Sequence, residues 1–515
     1  MGMFSHCLSG STLGIKANIV DVETHIAPAS HIFNVVGLPD NAVKESRDRV
    51  FAAIKTTGFK WPGQRITVNL APADIRKEGV AFDLPIAIGI LAATNQVTHD
   101  VLNQFVLLGE LALDGTLRPI HGSLPIAIEV KKNKIRGMIV PKENAKEAAM
   151  VEGLEVYPMD SLIETVSFLN GEHKILKPFH VDVNEIFSTE QKYPIDFADV
   201  KGQENVKRAL EVAAAGGHNI IMIGPPGSGK TMLAKRLPTI LPPLTFDEAI
   251  ETTKIHSVAG LLPPDTALIS TRPFRSPHHT ISDSALVGGG TIPRPGEISL
   301  SHHGVLFLDE LPEFARNVLE VLRQPLEDGH VTISRSKMSI DYPANFMMVC
   351  AMNPCPCGYF TDPTKECTCT PLQIQKYMAK ISGPLLDRID LHIEVPAVKY
   401  KELSSKDVGE QSIKIRERVV KAREIQMKRF AGRKGIYCNA DMQSKDIQTY
   451  CKLDTAGEEL LKMAITKLGL SARAYDRILK VGRTIADLAN ANDIKPEHIS
   501  EAIQYRSLDR NLWAV

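Results

Sequence analysis

The spacing of apolar and polar positions changes along the chain, and each change marks a region. NAVKESRDRVFAAIKTTG (41–58) carries apolar residues at helical spacing, while ITVNLAP (66–72) and FVLLGELAL (105–113) are runs of strand length. RKEGVAFDLPIAIGILAA (76–93) places an apolar helix after a charged, glycine-containing loop. Residues 1–175 therefore read as a mixed α/β domain. Between 172 and 198 no period is sustained, charge is mixed and two prolines intervene, which predicts a linker over 176–195. A short helix capped by Ser188 or Thr189 with Glu190 is the alternative for that stretch.

A sharper pattern follows. DVKGQENVKRALEVAAAGGHN (199–219) is helical until a Gly-Gly pair, and the apolar run Ile220–Ile223 has the length of a buried strand. GPPGSGKT (224–231) comes next, then helical spacing through Met232, Leu233 and Leu237. VLFLDEL (305–311) and VCAMN (349–353) are two more apolar strands that end in polar side chains. In LEDGHVTISRSKMSIDYPANFMMV (326–349), HVTIS and MSIDY alternate around Arg335-Ser336-Lys337 as a hairpin would. These elements predict a core over 196–400 with a parallel sheet. From 401 to 515 the spacing is helical: SIKIRERVVKAREIQMKRF (412–430), TAGEELLKMAITKLG (455–469), ARAYDRILKVGRTIADLAN (472–490) and KPEHISEAIQYRS (495–507).

Strand, glycine loop and helix start, in that order, make a phosphate cradle. Gly224, Pro225, Pro226, Gly227, Ser228 and Gly229 would curl the backbone so that N–H groups face phosphate oxygens, with the positive end of a helix behind them. Lys230 would reach the β- and γ-phosphates of ATP, and Thr231 would set its hydroxyl on Mg²⁺. Asp309, at the carboxyl end of an apolar strand, would hold the same Mg²⁺, and Glu310 would polarise the attacking water. A glycine loop that merely turns the chain, and a strand that merely ends in two acids, are the bland readings.

Composition narrows the partners. Apolar residues are 43% and charged residues 23%, as in an ordinary globular protein. With 60 basic and 60 acidic residues the formal charge is zero, so any surface for DNA must be local. The opening MGMFSHCLSG has no basic segment leading into a long apolar core, and no later run is long enough to span a bilayer; a cytoplasmic protein without membrane contact is expected. In a reducing compartment, Cys355, Cys357, Cys367 and Cys369 in NPCPCGYFTDPTKECTCT suit a closed four-thiolate Zn²⁺ site of structural kind, with free thiols or disulfides as the alternatives. The pairs His278–His279 and His302–His303 lack acidic or cysteine partners at ligand spacing, which favours loop packing or DNA contact over metal. Cations at Arg335 and Lys337 suit tracking of a DNA backbone, or equally a solvated turn.

Several segments resemble known families. RKEGVAFDLPIAIGILAA and GELALDGTLRPIHGSLPIAI (109–128) resemble the Lon-protease C-terminal (S5-like) fold, but Ala81 falls about where that family has its nucleophilic serine, and the segment around Ser123-Leu124-Pro125 offers no lysine where the general base belongs. Residues 199–219, with Val200, Gly202 and Gln203, resemble the segment that packs against adenine in AAA+ ATPases. Asn353 resembles the sensor-1 residue, Arg388 in SGPLLDRIDLHIEV the trans-acting arginine finger, and Arg473 in Ser471-Ala-Arg473 the sensor-2 arginine of a helical lid. Pairing of Arg388 with Asp387 or Asp390, and a helix-surface ion pair for Arg473, are the rival roles. FNVVGLPDNAVKESRDRV (33–50), RPFRSPHHTISDSALVGGG (272–290), NPCPCGYF (353–360), ISGPLLDRIDLHIEV (381–395) and ARAYDRILKVGRTIADL (472–488) together resemble the YifB/ComM family of magnesium-chelatase-like AAA+ ATPases over essentially the whole chain. The resemblance implies an N-terminal Lon-like α/β domain without a protease dyad, an AAA+ core and a C-terminal helical lid. It also implies a homo-hexamer that hydrolyses ATP and acts on DNA as a helicase or branch-migration motor in natural transformation. A chelatase-type motor subunit and an ATP-dependent protease or unfoldase are the alternatives.

Overall fold

Alternation of buried and outward-facing residues builds the first sheet. Ser5, Cys7, Ser9 and Ser11 of Met3–Leu13 (β1) and Val20, Val22, Thr24 and Ile26 of Lys16–Ala27 (β2) all face inward. The two strands pair antiparallel from Met3↔Ile26 to Leu13↔Lys16. The computed structural model describes residues 3–28, 32–74, 77, 79–172, 177–182, 193–263, 266–290, 293–335, 338–360, 362, 365–398, 409–433, 435–506 and 508. Phe33–Val36 (β3), Arg65–Ala71 (β4), Phe105–Leu107 (β5), Gly137–Pro141 (β8) and Glu155–Met159 (β9) complete a seven-stranded sheet in the order β3-β4-β2-β1-β5-β8-β9. Glu110–Leu111 (β6) and Leu117–Arg118 (β7) form a separate short pair.

The run 105–113, read as one strand, is two. Leu108 N–H turns to Ile139 O, while Gly109 donates to Ala81 O and accepts from Leu84 N–H, so the ladder breaks there. The apolar helix expected within 76–93 is Asp83–Ala93, buried along its whole length and packed over β1 and β2. Its first residue is an anion. Asp83 is fully buried, accepts from Arg49 Nε and Nη2 at 2.6 and 3.0 Å, and also accepts from Leu111 N–H at 3.2 Å. Burial nevertheless pushes its carboxyl up to about 6 against the pull of Arg49.

The chain divides into two compact units, 1–190 with 246–270, and 191–245 with 271–515. Helix Phe246–Ala259, expected inside the 196–400 core, thus folds with the first unit. There Ser257 and Ser123 both donate to the buried Glu147 carboxylate, and Gly122 N–H donates to Ser257 Oγ at 3.0 Å. Polar side chains inside the first unit hold this helix, and such a tie leaves no hydrophobic period in the sequence. Of the expected linker, 177–182 and 193–195 are described.

Near-continuous apolar runs build the second unit. Ile220–Ile223 (β10), Phe274–Arg275 (β11), Val305–Leu308 (β14), Met347–Met352 (β17) and Leu391–Glu394 (β18) form a five-stranded parallel sheet in the order β11-β14-β17-β10-β18. Every residue of β10, β14 and β17 is buried, as expected for strands covered on both faces. Gly288–Gly289 (β12) and Arg294–Pro295 (β13) make a short antiparallel pair, and His330–Arg335 (β15) with Met338–Pro343 (β16) makes the expected hairpin. Val331, Ile333, Ile340 and Tyr342 point inward from the hairpin, and Tyr342 Oη donates to Pro293 O at 2.8 Å.

Helices Glu204–Gly216, Ser412–Arg429, Thr455–Leu468, Ala472–Leu488 and Pro496–Gln504 complete this unit. The helical period of 472–488 puts Ala474, Ile478, Leu479, Val481, Ile485 and Ala486 on one side. From Ile478 onward that side joins Ala213, Leu233, Phe307 and Val349 in a single hydrophobic core. The helices expected as a separate 401–515 lid domain therefore share their core with the P-loop sheet.

Candidate nucleotide site

Because β14, β17 and β10 are parallel neighbours, their carboxyl ends emerge side by side on one edge of the sheet. Asp309 follows β14, Asn353 follows β17 and Gly224 follows β10, so topology alone gathers them. Gly224 N–H donates to Met352 O at 3.2 Å, and a β-carbon on Gly224 would fall 2.1 Å from Val395 O. Gly227 and Gly229 have φ of +78° and +88°, the left-handed region that glycine enters without steric cost. Helix Lys230–Arg236 starts on this loop.

The chemistry collects at that helix start. Lys230 Nζ donates to Gly224 O at 2.7 Å, Pro225 O at 2.9 Å and Asn353 Oδ1 at 3.2 Å. Burial lowers its pKa while Asp309 pulls the other way. Thr231 Oγ1 donates to Asp309 Oδ2 at 2.6 Å, and Asp309 Oδ1 accepts from Glu310 N–H at 3.0 Å. A hydroxyl and a carboxylate so close are hard oxygen donors of the kind Mg²⁺ takes. Gln203 Nε2 donates to Ser228 O and Pro396 O, both at 2.9 Å, tying the start of the preceding helix to the loop.

One contact escaped the sequence reading. His279 Nδ1 lies 3.2 Å from Glu310 Oε2, with its ring 4.1 Å from that of His278 and edge-on to Phe314. The signal for it is topological: β11 pairs in parallel with β14, so the RSPHH segment after β11 leaves the sheet on the edge where Glu310 sits. Glu310 itself has φ +53°, a left-handed backbone that turns its side chain out of the strand direction. His302 is buried and accepts from Asn345 N–H at 3.0 Å.

The two arginines have partners of their own. Arg388 is 8% exposed, donates to Pro384 O at 2.6 Å and pairs with Glu327, and its buried Nε has no hydrogen-bond partner among the described residues. It also lines a cavity of about 540 Å³ with Glu320, Arg323, Glu327 and Thr332. The acids expected as its rivals have other partners: Arg473 Nη1 is 3.3 Å from Asp387, and Arg477 pairs with Asp390. On the hairpin, Arg335 ends β15 opposite Met338, and Lys337 lies outside the described residues.

Directly after Asn353 the four cysteines converge. Cys355 Sγ is 3.3 Å from Cys357 Sγ and 3.7 Å from Cys367 Sγ, Cys357 and Cys367 are 3.5 Å apart, and all four sulfurs lie within 4.8 Å of one another. A tetrahedral four-thiolate site with Zn–S of about 2.3 Å requires sulfurs about 3.8 Å apart. The donor set therefore fits that ion.

Comparison with known proteins agrees with this geometry. Residues 22–144 match the family described as subunit ChlI of Mg-chelatase, residues 196–403 magnesium chelatase subunit ChlI, and residues 409–506 the ChlI C-terminal family. The chain is 48% identical to competence protein ComM of Haemophilus influenzae, over 98% of this chain and 97% of the relative. It is 45% identical to protein YifB of Escherichia coli over the same shares of the two chains. A shorter likeness, 27% identity over 144 residues, links 28% of the chain to 26% of Lon protease 2 of Bacillus subtilis. No helix among the described residues is long and apolar enough to cross a membrane. With the P-loop, acidic strand end and helical core in their places, the chain belongs to the ComM/YifB family of magnesium-chelatase-like AAA+ ATPases.

Proposed function

We propose that the protein forms a ring, hydrolyses ATP between subunits, and uses that energy to move DNA as a helicase or branch-migration motor serving natural transformation and recombination. The observation that carries the ATPase part is the meeting of Thr231 with Asp309 at 2.6 Å and of Lys230 with Asn353 at 3.2 Å beside the glycine loop. Loop N–H groups would take the phosphates, and Lys230 would turn its ammonium from loop carbonyls to phosphate oxygens. Thr231 and Asp309 would hold Mg²⁺, which when bound neutralises charge on the β- and γ-phosphates. Glu310 polarises the attacking water and Asn353 orients it. Arg388 of a neighbouring subunit and Arg473 would face the departing phosphate. The four cysteines hold a structural Zn²⁺. Arg335 and Lys337 at the hairpin contact the DNA backbone, and a cytoplasmic setting follows from that substrate.

The DNA part is supported by the relative named for competence. Its test is turnover and unwinding on a forked or four-way DNA. Wild type should be stimulated by DNA, Lys230→Ala should lose hydrolysis, and Arg335→Ala/Lys337→Ala should keep basal hydrolysis while losing the stimulation. A hairpin variant indistinguishable from wild type would refute the assigned DNA contact.

A chelatase-type motor is the second reading, favoured by the family matches over 196–403 and 409–506. Stimulation by a porphyrin with a partner subunit, and none by DNA, would select it. The protease reading has less support, because Ala81 carries no nucleophile and Ser123 is fully buried and committed to Glu147.

A further inference from the structure

The cysteine cluster touches the phosphate loop. Gly358, one residue past Cys357, has φ +85°, and a β-carbon there would fall 2.5 and 2.7 Å from Cδ and Cγ of Pro226. No side chain fits between them. Pro226 follows Pro225, whose carbonyl holds Lys230 Nζ at 2.9 Å, and precedes Gly227, the first left-handed residue of the loop. On the other side of the cluster, Asn353 precedes Cys355 by two residues and accepts from the same Nζ.

Within the knuckle the contacts beside the sulfurs are local: Asp362 N–H donates to Tyr359 O at 3.1 Å and Lys365 N–H to Asp362 Oδ1 at 3.0 Å. Between the two cysteine pairs the chain is mostly polar, GYFTDPTKE. Phe360 N–H donates to Cys355 Sγ at 3.3 Å and Cys357 N–H to Cys369 Sγ at 3.4 Å, contacts that stabilise thiolate ligands. The sulfur separations are far from the ~2.0 Å of a disulfide and near those of a four-thiolate tetrahedron.

We propose that a Zn²⁺ held by Cys355, Cys357, Cys367 and Cys369 sets the shape of the nucleotide loop through the Gly358–Pro226 contact, so that metal occupancy controls nucleotide affinity. The inference rests on the assignment of 224–231 to nucleotide and of the cysteines to zinc. With the metal in place the knuckle is a rigid wall behind Pro226. Without it, the four sulfurs have no common partner, the Gly358 turn relaxes, and the carbonyls that position Lys230 shift with Pro226.

The test uses the full chain, zinc content by elemental analysis, and the dissociation constant of a fluorescent ADP analogue. Wild type should carry one zinc per chain. Cys367→Ser/Cys369→Ser should lose the metal and bind the analogue at least about tenfold more weakly. Gly358→Ala should keep its zinc yet weaken binding by about tenfold, because the new methyl group overfills the contact. Adding Pro226→Ala to Gly358→Ala should recover affinity by removing the two ring carbons it strikes. Circular dichroism confirms that each variant is folded, and if Gly358→Ala is not, the double-cysteine variant decides alone.

Zinc present with unchanged affinity in Gly358→Ala, or wild-type affinity in the zinc-free variant, would overturn the coupling while leaving the metal assignment standing. Absence of zinc from wild type would overturn the metal assignment and the coupling with it. Failure of wild type to bind the analogue at all would instead overturn the nucleotide reading.

Discussion

His218, just before the P-loop strand, makes the stability of the second unit fall with acid. It is completely buried, with Nδ1 3.0 Å from Asp390 Oδ2 and Nε2 2.8 Å from Thr484 Oγ1 on helix 472–488. Burial, reinforced by Lys480, Arg423 and Arg477, lowers its pKa from 6.5 to about 3, with Asp441 opposing weakly. The folded pKa is depressed, so between about pH 6.5 and 3 the unfolded chain binds a proton that the folded chain refuses. Stability from this group is therefore full above the unfolded pKa and is lost as pH falls below it. From pH 7 to 5 the loss is about 2 kcal/mol, or roughly a 25-fold change in the folded-to-unfolded ratio. His218→Gln keeps a donor and an acceptor but cannot titrate. Urea unfolding followed by circular dichroism at both pH values should show wild type losing about 2 kcal/mol more than the variant over that interval. Parallel losses in the two proteins would refute the buried neutral imidazole.

Other expectations follow from single contacts. Arg49→Met strands the buried Asp83 and should destabilise the first unit by about 3–5 kcal/mol at neutral pH, measured by denaturant unfolding. Because the Asp83 pKa is already raised to about 6 and would rise further in the variant, that loss should shrink as pH falls towards 6 and stay level below it. Gly224→Ala drives a methyl group into Val395 O and should lower stability by about 1–3 kcal/mol while weakening nucleotide binding. Thr231→Ala should lower magnesium-dependent hydrolysis by about 10²-fold, measured at saturating ATP, since the hydroxyl beside Asp309 disappears.

What could be read from the residues was local. Buried strands, the glycine loop, the hairpin 330–343 and the helix after Arg76 each carry their own period or turn chemistry, and each is found within a few residues of its expected place. Parallel order then explains why Asp309 and Asn353 flank Gly224. What escaped reading joins residues far apart: Ser257 with Glu147, His279 with Glu310, Glu327 with Arg388, Gly358 with Pro226. None of these pairs leaves a period, because a polar or glycine contact is set by where two elements cross and not by spacing along either one. Two assignments of elements to compact units escaped reading for the same reason. Helix 246–259 is tied through Ser257 to Gly122 N–H and the Glu147 carboxylate in the first unit, and the C-terminal helices contribute their apolar side to a core that begins at Phe197.

That common core has a mechanical consequence. Where two bodies are joined only by a tether, they swing about it with little resistance; here Ile478 and Ile485 interlock with the strands and helices around the nucleotide loop. Any reorientation of the C-terminal helices must slide packed side chains past each other, which restricts the motion to small shear steps between discrete packings. Such a linkage transmits force stiffly over short strokes and tolerates little slack.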